Sequence, residues 1–121
     1  MCEAIKTRTP LVNWERRLVT RLRQVFGHHE ICRGHYRDTS WSGPSIEAPL
    51  FWIETAYGCD ANLQATLERA QQRCNLERWP LAICQKPSKK ALVAISLDDF
   101  LELARLFWTK PVQDLEEEEC P

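Results

Sequence analysis

The sequence predicts an α/β domain, a mixed β-sheet flanked by helices. Three observations carry this. Apolar residues recur at helical spacing in three separated stretches. Short runs of bulky and β-branched residues lie between them. Clusters rich in Gly, Pro, Asn and Asp punctuate the joins. Read in order, the elements are α-β-β-β-α-β-β-α. At 121 residues the chain is one domain with room for a real core. Its expected extent is 11–111, with residues 1–10 an N-terminal arm and 112–121 an acidic, disordered tail.

The first helix is expected to begin after Pro10. Leu11, Trp14, Leu18, Leu22 and Val25 form its apolar stripe, and Gly27 is a natural stop. Residues 31–36 read as a first strand, 39–44 as a turn-rich connection, and 46–48 as a clipped strand. Residues 50–57 carry bulky side chains on both faces, which predicts a buried central strand. Asp60 or Asn62 can cap the second helix, whose apolar face is Leu63, Leu67, Ala70 and Cys74. Residues 80–85 read as a strand, 86–90 as a solvated loop and 91–95 as the last strand. Ser96 and Asp99 make a start like a capping box for the final helix. Leu97, Phe100, Leu101, Ala104 and Phe107 are its expected inner face. Pro111 is expected to end it. Glu116, Glu117, Glu118 and Glu119 then repel one another and offer nothing to a core.

Composition excludes several classes. The apolar fraction of 44% and charged fraction of 27% are those of a globular protein. No apolar run is long enough to span a membrane, and the opening residues do not read as a signal peptide. The six cysteines form no C-x-x-C pair, so reduced cytosolic thiols are expected rather than a disulfide framework. The net charge of −1 hides an asymmetry. Without Asp114 and the four glutamates 116–119, the 17 acids fall to 12 against 16 bases. Arg16, Arg17, Arg21 and Arg23 concentrate on the first helix. They read either as a solvated face or as a surface for phosphates.

The segment with the most chemistry is Gly43-Pro44-Ser45-Ile46-Glu47 followed by Phe51-Trp52-Ile53-Glu54-Thr55-Ala56. With Glu15 in the first helix, Asn62 opening the second, and the run 91–100 at the end, its order and spacing resemble the PD-(D/E)xK nucleases. The chain resembles small phage-encoded relatives of the archaeal Holliday-junction resolvases. The resemblance spans roughly residues 11–108 and implies a restriction-endonuclease-like core. In that family an aspartate follows the proline, and an acid, any residue and a lysine lie on the next strand. The acids hold magnesium, and the lysine orients the attacking water. Here the aspartate position is Ser45, the acid is Glu54 and the lysine position is Ala56. Basic residues are expected after the motif; Tyr57, Cys59 and Asp60 stand there. The next helix is expected to offer arginine and glutamine at positions held by Glu68 and Arg69.

The resemblance therefore implies a degenerate site, with no catalytic residues, no metal and no cofactor. The domain would act by binding in the cytoplasm of a bacterial host. It would inhibit or regulate a host or defence complex, in the manner of anti-CRISPR or anti-restriction proteins of phages. A second reading is an active magnesium-dependent endonuclease with relocated acids: Glu15, Glu47 and Glu54, the metal on Glu47 and Glu54. A third is a DNA-binding pseudonuclease using the basic first helix. The resemblance implies a homodimer under all three. Tyr36, Trp41, Tyr57 and Trp79 are candidate interface aromatics, with Glu116 to Glu119 as a charged contact. Trp52 reads as core. His29, Cys32 and His35 are a weak candidate zinc set, with Cys59 or Cys74 as a further ligand. The plainer reading is a histidine-rich helix end and strand. Cys59 reads as an ordinary thiol, because no sequence-adjacent base accompanies it.

Overall fold

The computed structural model describes the backbone of residues 4–27, 30–34, 43–75 and 77–118, and the side chains of 10–27, 30–34, 43–75 and 77–108. Its elements are α1 (Ala4–Phe26), β1 (Cys32–Arg33), β2 (Ile46–Glu47), β3 (Phe51–Tyr57), α2 (Leu63–Arg73), β4 (Trp79–Gln85), β5 (Leu92–Ala94) and α3 (Leu97–Glu118). The strands form one mixed sheet in the order β1-β2-β3-β4-β5. β1, β2 and β3 run as an antiparallel meander, β3 and β4 are parallel, and β5 is antiparallel to β4. Parallel neighbours need a crossover, and α2 supplies it. β3 is central as the sequence predicts, in register with β4 along its whole length from Phe51↔Trp79 to Tyr57↔Gln85.

Alternation along β3 sorts the two faces. The odd residues look toward α1. Ile53 joins Trp14, Leu18, Val19, Ile31, Ile46 and Ile83 in the core, and the Tyr57 ring stacks on Trp14 at 5.3 Å. The even residues Trp52 and Glu54 look toward α2. There α2 buries Thr66 and Ala70 over β3 and β4. Ala70 and Ala82 expose no surface, and small side chains let a helix lie close on the sheet.

Local signals hold at the helix starts. The Asn62 side chain accepts from the Ala65 N–H at 2.9 Å, and Ser96 Oγ accepts from the Asp99 N–H at 3.1 Å. Two boundaries differ from expectation. α1 begins at Ala4 and runs through Pro10, so residues 4–10 are helical rather than a loose arm. α3 runs through Pro111 to Glu118, so residues 112–118 continue the helix. Proline keeps a helical φ and deletes one hydrogen bond, which good helix formers around it can offset. The expected inner face of α3 also differs. Leu97, Phe100, Leu101 and Phe107 are 50–74% exposed, and only Ala104 is half-buried. β5 has three residues and itself exposes Leu92 and Val93, so it gives the helix little to pack on. No described helix is long and apolar enough to cross a membrane.

Candidate functional site

Antiparallel pairing of Ile46 with Ile53 and Glu47 with Trp52 brings the start of β2 against the middle of β3. Ser45 Oγ donates to Glu54 Oε1 at 3.0 Å and accepts from the Thr55 N–H at 3.3 Å. The Trp52 indole N–H donates to Glu54 Oε2 at 2.9 Å. Arg69 and Arg73, one turn apart on α2, share a face and reach down to the same carboxylate. Arg69 Nε lies 3.3 Å from Oε1 and Arg73 Nη1 3.2 Å from Oε2. Glu54 is 2% exposed, so these charge-assisted bonds hold an anion taken out of water. The second arms of the arginines tie the backbone: Arg69 to the Thr55 carbonyl and Arg73 to the Gly43 carbonyl.

Glu47 lies on the same face as Glu54 and is paired separately. Arg78 Nη1 sits 3.3 Å from its Oε1, and the guanidinium lies 5.8 Å from the centre of the Trp52 ring. Ala56, at the lysine position, is half-buried and carries no cation.

Glu15 is on the other side of the sheet. It is 1% exposed, accepts from Thr55 Oγ1 at 2.6 Å and from Arg33 Nε at 3.1 Å. Thr55 and Glu54 are neighbours on a strand, so their side chains leave opposite faces. The acid trio Glu15, Glu47 and Glu54 is therefore not assembled: Glu15 is separated from the other two by the sheet.

Magnesium takes free carboxylate oxygens and keeps several waters. Here both Glu54 oxygens face guanidinium nitrogens, and Glu47 faces another. This donor set does not fit a hard cation. Among the described residues no three His, Cys, Asp or Glu side chains gather to hold a metal. His29 and His35 lie outside the described residues, while Cys32 is half-buried in β1. Cys59 is exposed. Burial pushes the Cys74 thiol up, against the opposing pull of Arg78, and the thiol donates to the Asn75 and Arg78 carbonyls.

The interface candidates divide. Tyr57 is half-buried against Trp14, and Trp79 is half-buried with its ring 6.0 Å from Phe51. Both pack rather than project. Tyr36, Trp41 and Glu119 lie outside the described residues, as do the side chains of Glu116, Glu117 and Glu118. Arg16, Arg17 and Arg21 are exposed on α1. Arg23 is exposed too, but its Nε donates to the Ile31 carbonyl at 2.7 Å and closes the α1–β1 connection.

The residues that sequence reasoning missed are Arg33, Arg73 and Arg78, together with the role of Arg69. The available signal was the Arg69–Arg73 spacing of one helical turn following a strand with an isolated acid. A second feature was read only as a solvated loop. Lys86, Lys89 and Lys90 line a cavity of about 480 Å³ at the carboxyl ends of β3 and β4, beside Asn62. Their turn is fixed: the Lys89 N–H donates to the Lys86 carbonyl at 3.0 Å, with Pro87 second and Ser88 third at φ 66°. Gln85 braces it, donating to the Lys89 carbonyl at 2.6 Å and accepting from the Trp14 indole at 2.7 Å. Among the described residues no acid lines the cavity.

The fold and this site define an α/β domain whose isolated strand acid is clamped by helix arginines. Comparison with known protein families, with characterised proteins and with solved structures finds no match.

Proposed function

We propose that the chain is a catalytically degenerate nuclease-fold protein, of a phage or mobile element, that acts by binding. Its task is to inhibit or regulate a host or defence complex, in an anti-CRISPR-like or anti-restriction-like manner. One observation carries the loss of catalysis: Glu54 is neutralised by Arg69 and Arg73 instead of being open to a cation. The Glu54 oxygens that a cation would need are already paired with guanidinium nitrogens. The arginines offset the buried charge, so the fold needs no metal to tolerate it. A five-strand mixed sheet with a helical crossover is compatible with a restriction-endonuclease-like core. Incubated with linear and branched DNA in magnesium or manganese, the protein should leave every substrate intact. Metal-dependent cutting that disappears in a folded Glu54→Gln variant would refute this reading. Its binding role is tested by capture from host cells with tagged protein, followed by mass spectrometry; recovery of nothing stoichiometric counts against it.

A second reading, a DNA-binding pseudonuclease, is favoured by the lysine-lined cavity and the exposed arginines of α1. Phosphate contacts release counterions, so each one adds about one unit to the dependence of log affinity on log salt. Substituting Lys86, Lys89 and Lys90 together with glutamine should then flatten that slope by roughly two to three units and weaken all sequences alike. The measurement is fluorescence anisotropy with labelled DNA across a salt series. An unchanged slope in the triple variant removes the cavity from the reading.

A further inference from the structure

Three lysines line one cavity outside the carboxyl ends of the parallel strands β3 and β4. That crevice is where open α/β sheets take their ligands. Its volume of about 480 Å³ lies within the roughly 300–1,000 Å³ of small-molecule sites. The backbone forces two of the charges together. Lys86 and Lys89 are the first and last residues of a β-turn, whose Cα atoms lie within about 7 Å. Lys90 follows directly. Ser88 keeps φ 66° at a turn position that glycine or asparagine fills with less strain. Like charges held side by side repel, and no acid among the described lining residues offsets them. The side-chain oxygens at the cavity are engaged elsewhere: Asn62 Oδ1 by the Ala65 N–H and Gln85 Oε1 by the Trp14 indole. What the lining side chains leave to a ligand is positive charge. The remaining wall is apolar and includes Leu63 and Leu92.

We propose that this cavity binds a nucleoside phosphate, with its phosphomonoester on Lys86, Lys89 and Lys90 and its base against Leu63 and Leu92. A phosphomonoester carries a charge of about −1.5 to −2 at pH 7, which three ammonium groups around one cavity match. A phosphodiester strand spreads its charges along its length and calls for a groove with successive aromatic platforms. Among the described residues no aromatic side chain lines this cavity. Inorganic phosphate would leave the apolar wall unused. A sugar phosphate would bring hydroxyl donors to a lining whose side-chain oxygens are engaged. A phosphate joined to a flat, largely apolar ring system uses both parts. The proposal does not depend on the Glu54 clamp. It gives to a small ligand the lysines that the DNA-binding reading gives to nucleic-acid phosphates, so competition between the two ligands separates them.

Isothermal titration calorimetry of the full chain with adenosine monophosphate, adenosine and inorganic phosphate is the test. The expected result is one site per chain for adenosine monophosphate, about tenfold or more tighter than for either fragment. Lys89→Gln should weaken it about tenfold, the loss of one hydrogen bond to a charged group. Replacing Lys86, Lys89 and Lys90 together with glutamine should abolish it. These side chains are exposed and the turn is closed by backbone groups, so the variants should keep the parental melting temperature. Leu92→Glu, at a wall residue 57% exposed, should weaken binding by setting an acid beside the phosphate. Single-stranded and duplex DNA without terminal phosphates, added at equal phosphate concentration, should not displace the nucleotide. No binding of adenosine monophosphate at about 1 mM overturns the proposal. So does binding that the triple variant retains, or displacement of the nucleotide by DNA, which returns the lysines to the DNA-binding reading.

Discussion

Exchange of Arg69 and Arg73 together for methionine is expected to lower the unfolding free energy by roughly 3 kcal/mol at neutral pH, the lower end of what breaking a buried ion pair costs. The variant leaves the Glu54 carboxylate with the Ser45 hydroxyl and the Trp52 indole but without a cation. Glu54 is 2% exposed and cannot recover its hydration. The lower end applies because the guanidinium side chains are 45% and 36% exposed and already partly screened by water. Urea unfolding monitored by tryptophan fluorescence measures the loss; an unchanged m-value assigns it to the native state. Replacing Glu54 with methionine in the same background should restore much of it, since apolar groups can substitute for a buried ion pair at little net cost. A double variant within about 1 kcal/mol of the parent would mean that the clamp is incidental and Glu54 is tolerated for another reason.

Glu15→Ala is expected to cost about 3 kcal/mol, with Glu15→Gln nearer half of that. The carboxylate joins three elements: α1 by its own backbone, β3 through Thr55 and β1 through Arg33. Removing it strands the Thr55 hydroxyl, a buried donor, and takes one charge-assisted bond from Arg33, whose side chain is only 23% exposed. Glutamine still accepts from one of them. Thermal and urea unfolding give the ranking directly. If both variants keep parental stability while a metal-dependent activity falls, Glu15 is a working acid and the degenerate-site reading fails.

The sequence alone determined the order of elements, the central place of β3 and the cap at Ser96, and it narrowed the α2 cap to Asp60 or Asn62. These follow from residue periodicity and from side chains that bond their own backbone, and neither needs a distant partner. It also determined that position 45 carries a hydroxyl and position 56 no ammonium group. That Ser45 touches Glu54 follows from the pairing of two adjacent strands, which the short connection between them makes readable.

What only the tertiary structure decided is where the other charges meet. Arg69 and Arg73 reach Glu54 because the crossover lays α2 over the even face of β3, and helical spacing does not report which strand residue lies beneath. Glu15 and Glu54 looked like members of one site along the chain. The sheet divides them, because α1 and α2 cover opposite faces. Periodicity found the apolar stripe of α3 but not its exposure. An amphipathic pattern states that one face avoids water; what covers it is set by neighbouring elements, and β5 is too short to do so. The prolines were misread for a related reason. A proline removes one hydrogen bond, and whether the helix ends there depends on the balance of all the residues around it.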